Sequence, residues 1–189
     1  TQAVSSTNDT DIISRLGNST TDWQREIYED ALALNYAFSA TGDLNGIPFR
    51  ASLGHTNQDG ILKGDNFTRN TLSFNLSPQL LGGSLRMNLN SRYVIVDNDF
   101  ANRGAIGSAA YFDPTKPIYD ANSPYARYYT WLDSNGTKLA LSPVNPIALL
   151  KLTDDESNVN RLITNIKVDY DLPIEGLTAT INSGIDNSS

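Results

Sequence analysis

Six stretches of this chain alternate apolar and polar side chains with a period of two, and no other feature narrows its fold as much. Successive side chains of a β-strand point to opposite faces, so such runs build sheets with one greasy and one wet surface. In residues 31–40, Leu32, Leu34, Tyr36, Phe38 and Ala40 share one face, with Asn35 and Ser39 on the other. A strand expected at 47–57 sets Phe49, Ala51, Leu53 and His55 against Arg50, Ser52 and Thr56. One at 67–76 sets Leu72, Phe74 and Leu76 against Thr71, Ser73 and Asn75, and one at 84–96 sets Leu85, Met87 and Leu89 against Arg86, Asn88 and Asn90. A fifth at 160–172 carries Leu162, Thr164, Ile166, Val168 and Tyr170 opposite Asn165, Lys167 and Asp169. The sixth, from Leu177, carries Leu177, Ala179, Ile181 and Ile185 opposite Thr178, Thr180, Asn182 and Asp186.

The connections are of two kinds. Tight turns of Gly, Asp, Asn and Pro are expected at Thr41 to Gly46, at Ser77-Pro78 with Gly82-Gly83, and at Pro173 to Gly176. A longer loop starts at Gln58-Asp59-Gly60 and runs through Asp65, and a far longer one covers 97–157. In an antiparallel meander alternate connections lie at opposite ends. One end is therefore short-looped and the other long-looped, as in barrels of the outer membrane. A long connection without structure of its own counts against a compact soluble domain but is ordinary outside such a barrel. A soluble β-sandwich alternates in the same way and also has loops at its ends, and the pattern alone leaves both readings open.

The first 22 residues are rich in Ser, Thr, Asn and Asp. Asp11 to Leu16 reads as one or two helical turns closed by Gly17-Asn18, and Thr21-Asp22 as the cap of a second short helix running through Tyr28. The opening has no initiator Met, basic segment or apolar leader, and residue 189 follows a strand pattern without a further turn. Both ends point to an internal piece of a longer polypeptide.

Composition narrows the chemistry. Fourteen Lys and Arg against 21 Asp and Glu give a net charge of −7, which leaves no basic face for a nucleic acid. The absence of cysteine removes disulfides, thiolate metal sites and thiol catalysis. No apolar run reaches the roughly 18 residues of a membrane helix, although barrel strands need only about 9–11 residues, half of them polar. The single histidine, His55, lies within a strand beside Gly54 and reads as an aromatic near an interface rather than a catalytic base. Asn57 to Gly60 and Thr153 to Glu156 offer oxygens but lack the spacing of a calcium loop. A carboxylate pair for glycoside hydrolysis could be drawn only from Asp113, Asp120 and Asp133. The long loop gathers Tyr111, Phe112, Tyr119, Tyr125, Tyr128, Tyr129 and Trp131. Aromatic faces of this kind contact sugars, peptides or a partner protein, and they also pack a loop against a barrel rim.

Several segments resemble one family in wording and in order. They are Thr21-Asp22-Trp23-Gln24-Arg25-Glu26-Ile27, Ser52 to Leu62 (SLGHTNQDGIL), Phe100 to Gly107 (FANRGAIG), Phe112 to Tyr119 (FDPTKPIY), Asn145 to Leu150 (NPIALL) and Ser157 to Arg161 (SNVNR). Each is similar to the matching stretch of SusC-like TonB-dependent outer-membrane transporters. The resemblance implies an all-β antiparallel meander forming part of a large transmembrane barrel of about 22 strands. It assigns 1–30 to an extracellular segment with short helical turns, 31–96 to four barrel strands, 97–158 to a long extracellular loop and 159–189 to two more strands. It also implies the outer membrane of a Gram-negative bacterium, import of a glycan or peptide substrate, a SusD-like surface lipoprotein as lid, and TonB acting through a plug absent from this chain. The lipid bilayer is the further partner. No cofactor and no metal are expected, and the chain is not expected to be an enzyme. Of the seven loop aromatics, the resemblance implies that some face the lid or the substrate. The readings of another kind are a soluble β-sandwich that binds glycans or surfaces, and a β-rich glycoside hydrolase fragment.

Overall fold

The computed structural model describes residues 16–189, so the helical turns expected at 11–16 lie almost wholly outside the described residues. The chain divides into two compact units. One is a single antiparallel sheet made of 31–59, 66–99 and 156–189. Its long strands are β1 (Ala33–Leu44), β2 (Ile47–Asp59), β3 (Asn66–Leu76), β5 (Leu85–Asp99), β6 (Glu156–Asp171) and β7 (Thr178–Ser188). A two-residue strand, β4 (Gln79–Leu80), pairs with the start of β5. The spatial order β1-β2-β3-β5-β6-β7 is a plain meander.

Register turns the sequence alternation into two surfaces. The row Phe38, Leu53, Leu72, Tyr93, Leu162 crosses five strands on one face. The row Ala40, Ala51, Phe74, Ser91, Thr164, Ile185 crosses all six long strands on the same face. Ser52, Ser73 and Arg92 form a row on the other face, as do Arg50, Asn75, Asn90 and Asn165. The apolar face is open to its surroundings: Phe38 is 71% exposed, Ile181 69% and Leu53 58%. No second sheet covers it among the described residues, and the sandwich reading fails on that point. Along β5 the apolar rows run from Leu85 to Ile95. The ten steps from one to the other at about 3.3 Å each, tilted by about 40°, span roughly 25 Å, the height of the lipid-facing band of a membrane barrel.

Above that band the same face turns polar, through Asn57, Asn70, Asp97 and Asn158. Aromatic rings stand at the change. Tyr36 stacks on His55 with centroids 6.3 Å apart, His55 Nδ1 lies 2.7 Å from Asn70 Oδ1, and the Tyr93 hydroxyl donates to Asn160. The other face is polar for most of its length, though Phe67, Val94, Val96 and Val159 lie on it toward the same end.

Several boundaries differ from the sequence expectation. Thr41 to Leu44 belong to β1, and only Asn45-Gly46 turns, with φ of 53° and 82°. These values suit the two-residue hairpin whose twist matches its strands. Asp43 Oδ1 accepts the Gly46 N–H at 2.5 Å. Gly42 pairs with Phe49 within the strand, and the Phe49 ring lies across it, 3.0 Å from where a Cβ would stand. Asp97 to Asp99 extend β5, and β6 begins at Glu156. Turns of few residues join β1 to β2 and β6 to β7 at one end of the sheet. The connections 60–65 and 100–155, and the segment before β1, are continuous with the opposite end.

Those three segments form the second unit. The 97–157 connection expected as loop contains two helices, α2 (Gly104–Tyr111) and α3 (Pro146–Leu152), and α1 (Trp23–Ile27) packs with them. Asp22 caps α1 through the Arg25 N–H. Asn145 caps α3, followed by Pro146 at its first turn, where a missing N–H costs nothing. The core joins Trp23, Ile27, Leu62, Ala105, Ala109, Phe112, Ile147 and Leu150.

Candidate functional site

The loop aromatics divide into two groups. Phe112 is 3% exposed and lies between Trp23 and Trp131, with ring centroids at 4.4 and 4.5 Å. Tyr129 meets Trp131 edge-on at 5.4 Å and Phe112 at 6.4 Å. The Trp23 indole N–H donates to the Asp113 carbonyl. Phe112, Tyr129 and Trp131 thus build the base of the loop, with edge and tilted geometries that favour ring contacts. Tyr111, by contrast, is 83% exposed and Tyr119 61%.

Tyr119 and Tyr128 form a pair at 5.2 Å, tilted by 36°, across an isolated bridge. The turn behind them is strained. Ala126 and Arg127 both adopt positive φ, 51° and 65°, between the Tyr125 carbonyl and the Tyr128 N–H that close the turn. Residues other than Gly lose about 1–2 kcal/mol each there, and such strain persists where the surroundings impose it. Here the surroundings are the Asp120 N–H on the Arg127 carbonyl and the Tyr129 N–H on the Ile118 carbonyl. The Tyr125 hydroxyl accepts the Lys138 N–H at 3.0 Å. Burial first, then the adjoining Tyr119, hold the Tyr128 phenol above its ordinary range.

Asn145 ties this region together and is 2% exposed. Its Oδ1 accepts from the Ile147 and Ala148 N–H groups, and its Nδ2 donates to the carbonyls of Ile118 and Tyr129. Composition gave no sign of this role, although the Asn-Pro pair before an apolar run marks a helix start.

The three carboxylates weighed for hydrolysis are turn formers. Asp113 accepts from the Thr115 N–H and hydroxyl, Asp120 from the Asn122 N–H, and Asp133 from the N–H groups of Asn135 and Thr137. Asp59 accepts from Asn66, and no group of acidic residues and His able to hold a metal occurs among the described residues.

The polar face of the sheet is ordered by cross-strand pairs. Arg86 grips Asp171, Arg161 grips Asp186, and Lys167 lies 3.0 Å from Asp169. Asn75 donates to Asn90, Asn90 to Asn88 and Asn88 to Ser77, in a ladder across three segments.

No family model matches the chain. It is 36% identical over 168 residues to the TonB-dependent receptor SusC of Bacteroides thetaiotaomicron, covering 82% of this chain and 17% of that protein. It is 27% identical over 169 residues to the TonB-dependent receptor P26 of Formosa agariphila, covering 88% of this chain and 16% of that protein. The RagAB peptide importer shares the fold in its closed-closed and open-open states, each with a TM-score of 0.59 over 92% of this chain and 19% of that one, at 21% and 22% identity. The chain spans about one sixth of the length of the curated relatives it matches.

Proposed function

We propose, from the premise that this chain is a barrel segment of the SusC-like TonB-dependent transporters, that it forms part of the wall and outer loops of an importer for oligosaccharides or peptides. The observation that carries this reading is the two-faced sheet. Its apolar rows suit lipid, its polar rows suit a lumen, and its long connections leave from one end only. An open sheet with bare edges is not tolerated in a bilayer, so β1 and β7 would pair with strands of the longer protein. The rows would close around a lumen completed by that polypeptide, in a Gram-negative outer membrane.

The unit built on α1, α2 and α3 would then lie on the extracellular side. Tyr111, Tyr119, Tyr125 and Tyr128 are the residues for contact with substrate or with a SusD-like lipoprotein lid, while Phe112, Tyr129 and Trp131 hold them in position. Energy would reach the transporter from TonB through a plug outside this sequence. The chemistry is binding and gating, with no catalytic role.

Lipid-phase quenching tests the reading in the full-length transporter. A fluorophore on a cysteine at Leu53 or Ile181 is expected to be quenched by brominated lipid, and one at Ser52 or Asn182 is not. Equal quenching on both faces would overturn it. Loss of oligosaccharide or peptide uptake on deleting the gene would assign the substrate class.

A further inference from the structure

The polar face distributes its charges unevenly. On the β5-β6-β7 side each basic residue except Arg92 has a carboxylate within reach: Arg86 has Asp171, Arg161 has Asp186 and Lys167 has Asp169. On β2, β3 and β5 stand Arg50, Arg69 and Arg92, and none forms an ion pair among the described residues. Their cross-strand neighbours are neutral. Arg50 lies between Thr41 and Asn75, Arg69 between Thr56 and Val96, and Arg92 between Ser73 and Ile163. All three are exposed.

Arg50 and Arg92 border one depression of about 430 Å³, floored by Ser52, Ser73, Asn75 and Asn90. That volume falls in the range of small-molecule sites. Both arginines are exposed and none of their direct cross-strand partners is a carboxylate; Asp43, one diagonal step from Arg50 on the same face, accepts the Gly46 N–H of the turn. A wall of one charge sign concentrates oppositely charged solutes, more strongly where low-dielectric walls confine the field. Guanidinium groups bind carboxylates through paired hydrogen bonds. This occurs on a chain whose net charge is −7, so the local sign is opposite to that of the whole.

We propose that this depression is a lumenal binding site for carboxylate-bearing solutes, such as an acidic oligosaccharide or acidic peptide, with Arg50 and Arg92 as the recognising residues. The proposal rests on the polar face lining the lumen. The occupant is a passing solute rather than a fixed part of the polypeptide. Where the sheet needs a permanent counter-charge on this face, it supplies one from the neighbouring strand, as Asp171 does for Arg86. At Arg50 and Arg92 the facing residues are Thr41, Asn75, Ser73 and Ile163, and none is charged.

Arginine modification by phenylglyoxal, read by peptide mass spectrometry on the full-length transporter in detergent, tests this. Arg86 and Arg161, held in two-point ion pairs, are the slow internal references. Arg50 and Arg92 are expected to react faster than both. Trigalacturonate or triglutamate is expected to slow them roughly tenfold at about ten times its dissociation constant. Maltotriose and trialanine are expected to leave them unchanged. Slow reaction without any solute would mean that the polypeptide itself covers the arginines, and would overturn the proposal. Fast reaction that no acidic trimer slows would overturn it too. Neither result touches the lipid-facing assignment of Leu53 and Ile181, which the quenching experiment decides separately.

Discussion

Arg86 on β5 and Asp171 at the end of β6 meet in a two-point ion pair, with Nη1 2.5 Å from Oδ2 and Nη2 2.9 Å from Oδ1. Nη1 also donates to the Gly83 carbonyl, and Thr178 on β7 donates to the same carboxylate. The Arg86–Asp171 pair therefore fastens the turn before β5, the end of β6 and the start of β7. Both side chains are about two-fifths exposed, so solvent screens the charges. Arg86→Leu and Asp171→Asn are each expected to lower the thermal midpoint of the full-length transporter slightly, far less than a core substitution. The double variant is expected to cost no more than the worse single one, because the two groups act as a unit. Additive losses would show that each works through other partners.

Asn145 predicts a larger effect. Asn145→Ala removes the cap of α3, which costs about 0.5–2 kcal/mol, and takes a side-chain donor from the Tyr129 carbonyl, at about 1 kcal/mol more, while the Ile118 carbonyl keeps the Tyr129 N–H. Asn145→Asp keeps the acceptor for the helix N–H groups but loses the donor, so it should recover only the cap. Hydrogen exchange over 100–155 in the full-length protein is the measurement. Faster exchange confined to that connection, with β5 and β6 unchanged, is the expected result.

Tyr128 gives the loop a dependence on alkaline pH. Its phenol is raised above the ordinary value near 10 because burial and Tyr119 disfavour the charged form. A tyrosine whose folded value exceeds its unfolded value keeps its proton longer when folded. Its contribution is whole below the unfolded value and is lost as pH rises through the folded one. Ultraviolet titration of the full-length protein should therefore show one late-ionising tyrosine that Tyr128→Phe removes. Loosening of the Tyr119–Tyr128 turn should accompany that ionisation.

Much of this fold is legible as period. The six long strands follow from alternation, and the Asn45-Gly46 hairpin from turn chemistry. Strand ends were less legible where both faces turn polar. Asp97, Asn98 and Asp99 carry no alternation, so nothing in the sequence separates strand from loop there. The helical unit beyond α1, whose cap at Asp22 is legible, was hidden for a different reason. Its core is made by contacts far apart in the chain, such as Trp23 on Phe112, and α2 and α3 are too short for a helical period to stand out. Of the loop aromatics, the sequence groups seven as equals, and only packing separates the buried Phe112 from the exposed Tyr111. The adjacency of Arg50 and Arg92 depends on register, since they lie 42 positions apart and meet through β3.

Ile166 and Lys167 offer the sharpest test of which surface meets lipid. They are consecutive on β6, yet Ile166 lies in a row with Leu89 and Ser183, and Lys167 with Asn88 and Asn182. Lys at a lipid-facing site near the bilayer midplane costs about 2–4 kcal/mol, whereas a lumenal change tunes selectivity at little cost to folding. Ile166→Lys is therefore expected to reduce the amount of folded transporter recovered from outer membranes sharply. Lys167→Ile is expected to leave it near the parent level, since it loses only one partly exposed ion pair with Asp169, which keeps its bond from Thr180. Had the sheet been turned the other way, the ranking would reverse. Equal losses would mean that both faces of β6 are packed against protein, and the membrane-wall reading would fall.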